Sequence, residues 1–235
     1  MNRDQFDFDS SYIRETLGSY TARTFFWMFL GLLVTFSTAW WGAASGVVYR
    51  MLYSIPGIQL VLLIAELVVV VVLSRRIHSI GVTTARILFF AYALITGVTF
   101  SSLFIAYDLG ILILAFGMTA LYFGGMALYG YFTKSDLSRL GPVLSAGLIV
   151  LVVFGFLSLF LPLGAFDRIA CMAGIAVFVG LTAYDTQKIK SFYLYYSGDP
   201  EMLEKASVIS ALGLYLDFLN LFLYLLRFFG RRSRN

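Results

Sequence analysis

Apolar residues run along this chain in seven long stretches, 24–44, 57–74, 87–106, 109–132, 142–162, 167–187 and 206–228. A helix needs about 20 apolar residues to cross the hydrocarbon core of a bilayer, so each stretch predicts one spanning helix. Turn signals separate them. Ser54-Ile55-Pro56-Gly57 opens the second, Asp108-Leu109-Gly110 precedes the fourth, and Gly141-Pro142 starts the fifth. Leu161-Pro162-Leu163-Gly164 ends the fifth, and Ser197-Gly198-Asp199-Pro200 breaks the longest loop. No connection is long enough to hold another domain, and no repeat period of the soluble kind is visible. The pattern predicts an all-α membrane protein: a polar tail over 1–23 on the cytoplasmic side, a seven-helix transmembrane bundle over 24–228, and a basic tail over 229–235.

Composition agrees with lipid as the main solvent and as the expected partner. Of 235 residues, 60% are hydrophobic and 13% charged, whereas a soluble domain carries about 25% charged residues. The basic excess, 17 against 13, then speaks to topology, and no nucleic-acid partner is expected. The single cysteine, Cys171, lies inside an apolar stretch, which excludes an intramolecular disulfide and a cysteine metal cluster. The single histidine, His78, stands beside Arg75 and Arg76 at a helix end and reads as a solvated interfacial residue. A metal site needs several donors, so neither a bound metal nor a cofactor is expected. The first apolar run, about 21 residues, exceeds the 7–15-residue core of a signal peptide, so it reads as the first span despite Ala43-Ala44-Ser45.

Orientation follows from arginine and lysine in the short loops. One side carries Arg3, Arg14, Arg23, Arg75, Arg76, Arg86, Lys134, Arg139, Lys188, Lys190 and Lys205; the other carries Arg50 and Arg168. The amino terminus is therefore expected in the cytoplasm. Arg227, Arg231, Arg232 and Arg234 conflict with this if the seventh stretch crosses. Either that helix crosses against its charge bias or it re-enters; a full span is favoured, because earlier charges can overrule later ones.

Chemistry gathers in the last two stretches. Ser210, Gly213, Asp217, Asn220, Tyr224 and Arg227 recur at spacings of three and four, which puts all six on one helical face. Lipid offers no hydrogen-bond partner, so this face must look toward protein or water and the helix should be central or line a cavity. Helix-to-helix glue of the small-residue kind explains Ser210, Gly213 and Asn220, but not an ionisable aspartate near mid-membrane. Asp185 closes the sixth stretch on the cytoplasmic side, where Lys188 is an ordinary interfacial partner for it. Should Asp185 and Asp217 approach one another, two like charges in a poorly solvated site would share a proton. Arg75 and Arg76, on the same side, could instead pair with Asp185 in a proton-dependent way. Glu66 is a third acid in an apolar run. Three acids with one or two arginines suit cation passage or proton sensing, and equally a buried structural network.

Gly180-Leu181-Thr182-Ala183-Tyr184-Asp185-Thr186-Gln187 and Ala211-Leu212-Gly213-Leu214-Tyr215-Leu216-Asp217-Phe218-Leu219-Asn220-Leu221-Phe222 resemble the carboxyl-terminal signature of the Bax inhibitor-1 (transmembrane Bax inhibitor motif-containing) family. Tyr131-Phe132-Thr133-Lys134-Ser135-Asp136-Leu137 adds to the likeness, which covers the whole chain. The resemblance implies a pH-sensitive calcium leak. It implies Asp185 and Asp217 as proton sensor and gate, Arg75 or Arg76 as a supporting ion pair, Glu66 as an acidic residue of the second helix, and a last helix surrounded by the others; Glu66 and Asn220 are expected on the ion pathway. Compact loops and a short tail resemble a bacterial member, in the inner membrane. A non-conducting regulator that binds a membrane protease or another stress-response protein is the alternative.

An enzyme is not expected. Intramembrane aspartyl proteases share a Tyr-Asp pair, here Tyr184-Asp185, but their second aspartate follows a Gly-x-Gly approach. Asp217 follows Gly213-Leu214-Tyr215-Leu216, whose bulk would crowd a substrate backbone. For the leak, a proton shared at low pH would clamp the sixth and seventh spans. Its loss at higher pH would leave two repelling carboxylates and loosen the cytoplasmic seal. The opposite direction, in which protonation releases an arginine ion pair, is the other outcome to be tested.

Overall fold

The computed structural model describes residues 15–158, 160–161 and 164–230. The tail charges Arg3, Asp4, Asp7, Asp9, Arg14, Arg231, Arg232 and Arg234, and the turn residues Pro162 and Leu163, lie outside the described residues. Eight α-helices and two 3-10 turns account for nearly all the described chain, which contains no strand. The helices are α1 (Leu17–Ser45), α2 (Val47–Ser54), α3 (Ile58–Arg76), α4 (Val82–Ala106), α5 (Leu109–Phe132), α6 (Gly141–Leu157), α7 (Asp167–Tyr196) and α8 (Pro200–Gly230). Seven helical segments are long and apolar enough to span a membrane, α6 only together with the 3-10 turn before it (Leu137–Leu157), so such a segment stands where each of the seven crossings is predicted.

Helix ends follow local chemistry rather than hydropathy alone. The hydroxyl of Thr16 caps α1 by accepting from the Ser19 N–H at 3.2 Å. Gly46, at φ 66°, turns the chain out of α1 and into α2. That short helix was not expected; it forms because Val48 and Leu52, one turn apart, are buried while Arg50 faces outward. Hydropathy predicts that the sixth span ends at 187, yet α7 continues to Tyr196. Lys188, Lys190 and the tyrosines beyond them leave hydrocarbon without leaving the helix, and only the Ser197–Asp199 turn stops it. Asp199 then accepts from the Met202 N–H at 3.0 Å and starts α8.

The bundle is built around α8. Between Leu203 and Leu226 its buried residues occupy every face, including the consecutive runs Lys205–Val208 and Asp217–Leu219. Four helices cover it directly. From α1, Thr24 hydrogen-bonds Ser207 and Thr35 hydrogen-bonds the Tyr215 hydroxyl, at 3.0 and 2.6 Å. Phe89 of α4 meets Tyr215 edge-on, Phe116 and Phe123 of α5 meet Phe218, and Phe178 of α7 stacks on Tyr224. Outside this layer, α3 leans mainly on α4 and α6 on α7. Their outer faces present apolar side chains, such as Leu67 and Val150, that only lipid can satisfy.

Candidate functional site

The polar stripe of α8 looks at α7. A Cβ added to Gly213 would lie 3.1 Å from Asp185 Oδ2, so the missing side chain makes room for that carboxylate. Farther along, the Tyr224 ring fills the space that a side chain at Gly174 would need, and Arg227 reaches Asp167 at 3.7 Å. The pairs 185/213 and 174/224 both sum to 398, so one antiparallel register holds over three helical turns. In that register Asp217 stands opposite position 181. The two aspartates are therefore offset by one turn, about 6 Å along the axis, with Asp217 the deeper.

Their environments differ. Asp217 is 4% exposed, and its Oδ2 is buried with no hydrogen-bond partner among the described residues. Asp185 is half-buried and lines a pocket of about 180 Å³ together with Ser74, Lys188, Phe192, Ser210 and Gly213. Lys188, its expected interfacial partner, shares this pocket but makes no ion pair with it among the described residues. The ammonium group lies instead over the rings of Tyr184 and Phe192, at 5.9 and 5.3 Å. A buried carboxylate oxygen without a donor is costly, and a proton, a cation or a water molecule would each relieve it.

The remaining predicted residues fall in three places. Arg75 and Arg76 end α3 beside the pocket residue Ser74, but both are exposed and neither pairs with an acid among the described residues. Glu66 faces α4 and accepts from the Thr99 hydroxyl at 3.0 Å. Asn220, half-buried, donates to the Leu216 carbonyl of its own helix at 2.8 Å. Cys171 is buried, and His78 is exposed. No cluster of three or more histidine, cysteine or acidic side chains suited to a metal forms among the described residues.

One group escaped the sequence reading. Tyr92, Thr96 and Thr99 of α4 gather around Glu66, and Tyr215 adjoins them from α8. The Thr96 hydroxyl is buried and closes no hydrogen bond with good geometry among the described residues. The signal was present in the spacing of four and three, the same one that marked the stripe on α8.

Comparison with known proteins agrees with this architecture. The sequence profile of the family described as "Inhibitor of apoptosis-promoting Bax1" matches residues 17–234. The Inner membrane protein YbhL of Escherichia coli (strain K12) is 41% identical over 232 residues, covering 97% of this chain and 99% of that one. The protein RP147 of Rickettsia prowazekii is 37% identical over 218 residues, covering 93% and 92% of the two chains. A protein of Borreliella burgdorferi is 34% identical over 216 residues, covering 92% and 93%. With seven apolar helices wrapped about the last one, and a match over nearly its whole length, the chain belongs to the Bax inhibitor-1 family of multi-span membrane proteins.

Proposed function

We propose that this protein is a pH-sensitive cation leak of the bacterial inner membrane, with Asp185 and Asp217 as its proton-dependent gate and its amino terminus in the cytoplasm. The inner-membrane assignment rests on the likeness to the Escherichia coli inner membrane protein. Calcium as the transported ion rests on family resemblance. The observation that carries the gate is the one-turn offset of a pocket-lining carboxylate and a buried, unpartnered one across the α7–α8 contact.

The mechanism runs through that contact. While one proton is shared between the two carboxyls, α7 and α8 stay together and Asp185 fills the space above Gly213. As pH rises the proton leaves, two like charges face each other at low dielectric, and the helices are driven apart. The pocket then deepens toward Asp217 and offers a cation two oxygen donors. Arg75 and Arg76 would meet Asp185 only after such a movement. Because neither pairs with it here, opening on proton loss is the direction favoured. Glu66 and Asn220 would serve the ion farther along.

Liposomes loaded with a calcium dye test this reading. Flux should rise with pH, and Asp185→Asn and Asp217→Asn should each flatten the pH profile. If both variants keep the wild-type flux and profile, the aspartate gate is wrong. A folded wild-type protein that passes no cation would point to the non-conducting regulator.

A further inference from the structure

Two of the motifs that carry the family likeness, 131–137 and 180–187, lie some fifty residues apart in sequence and meet in space through one side chain. Gln187 accepts from the Leu137 N–H through Oε1 and donates through Nε2 to the Ser135 carbonyl, each at 2.8 Å. Both ends of the amide are thus spent on the backbone of the α5–α6 connection. Lys190, one turn on, donates to the Tyr131 carbonyl and lies 5.1 Å from the centre of that ring. The two surfaces also fit closely. A Cβ at Gly130 would come within 2.3 Å of the Ala183 carbonyl oxygen, and one at Gly141 within 2.9 Å of the Tyr184 ring. From 183 to 190, α7 is seated in the α5–α6 hairpin.

Gln187 follows Asp185 by two residues, about 200° around the helix. Asp185 therefore faces α8 while Gln187 grips the hairpin from the far side. Turning or sliding α7 off α8 must pull that amide away from 135–137. We propose that Gln187 is a positioning residue for Asp185, holding α7 against the hairpin and thereby setting the pH at which α7 and α8 separate. This inference rests on the aspartate gate proposed above.

Other charged groups nearby bear on such a titration. On α7 they are Lys188, Lys190 and Tyr184, and α8 supplies Asp217. Tyr131 comes from α5, and the connection carries Lys134, Asp136 and Arg139. The described part of α6 has no ionisable side chain, and α3 contributes Ser74 to the pocket with Arg75 and Arg76 beside it. Asp136 is not the group that would respond near neutrality. The hydroxyl and N–H of Ser138 donate to its carboxylate and hold it below the usual carboxyl range. Its capping contribution is present above that range and lost only as pH falls through its own lower value.

The test measures movement and backbone protection alongside flux. Spin labels at Ala22→Cys on α1 and Tyr195→Cys on α7, both exposed positions, in a Cys171→Ala background, report the displacement of α7 in nanodiscs across pH. Gln187→Met keeps the side-chain length and removes both hydrogen bonds. It should move the midpoint of displacement about one pH unit toward acid and speed amide exchange at 133–140 about tenfold. In the unmodified protein, protection of 133–140 should fall at the same midpoint as the displacement, which needs no variant at position 187. A displacement that titrates in the wild type but keeps its midpoint in Gln187→Met and Gln187→Ala would overturn the role of Gln187 and leave the aspartate gate standing. A protection midpoint far from that of displacement would do the same. A distance unchanged by pH in the wild type would sink the gate and, with it, anything for Gln187 to position.

Discussion

At the scale of single residues, the two aspartates are unequal partners. Asp217 is enclosed by the bundle and has an oxygen that no neighbour among the described residues satisfies, whereas Asp185 opens on a pocket and keeps Lys188 in view. Proton exchange with water would therefore begin at Asp185 and reach Asp217 through it. The glycines are equally specific. Gly130 lets the backbones of α5 and α7 touch, while Gly117, on the same helix, has open space beside it. Gly130→Ala should destabilise the protein by about 1–3 kcal/mol through overpacking, read as a lower unfolding temperature in detergent. Gly117→Ala should leave that temperature unchanged or slightly raised, since alanine is the better helix former. Equal losses in both would mean that the close contact at Gly130 carries no special burden.

At the scale of elements, the α7–α8 register is the feature everything else depends on. It predicts that Phe178→Cys and Asn220→Cys, which also sum to 398, cross-link on mild oxidation in a Cys171→Ala background. Phe178→Cys with Gly213→Cys, two turns out of register, should not. Gel mobility under non-reducing conditions decides between them. Seven spans were legible in the sequence because hydrocarbon imposes a length that hydropathy counts directly. The facing of α8 was legible because a polar stripe at helical spacing has only protein or water to look at. What the stripe faces was not legible: nothing in its spacing names α7 rather than α1 or α5. The ends of α7 and α8 were misplaced because helices do not stop where hydrophobicity does. Helix α2 went unseen because eight residues in a connecting segment fall below the length that a spanning pattern detects. The seat of Asp185 was hidden for another reason. Gln187 and Leu137 are brought together by tertiary packing, and a one-residue amide clamp leaves no periodic trace.

At the scale of the whole molecule, seven full crossings would put Leu17 and Gly230 on opposite sides of the membrane, with the end of α8 on the face expected to carry few other basic residues. In spheroplasts, a membrane-impermeant maleimide should label a cysteine placed at Gly230 and spare one placed at Leu17; labelling of neither would indicate a re-entrant last helix. The layered build has a further consequence, for biosynthesis. The helix at the hub is the last of the eight to leave the ribosome, and domains are made from the amino end first. Until it arrives, the ring formed by α1, α4, α5 and α7 surrounds a place that only α8 fills. During that interval Thr24 lacks Ser207, the Thr35 hydroxyl lacks Tyr215, and Asp185 faces open space where Gly213 will sit. A chain interrupted before residue 200 would thus carry six of the seven spanning segments, its Thr24 and Thr35 hydroxyls held only by carbonyls of α1 and α4 and its Asp185 without the helix that covers it.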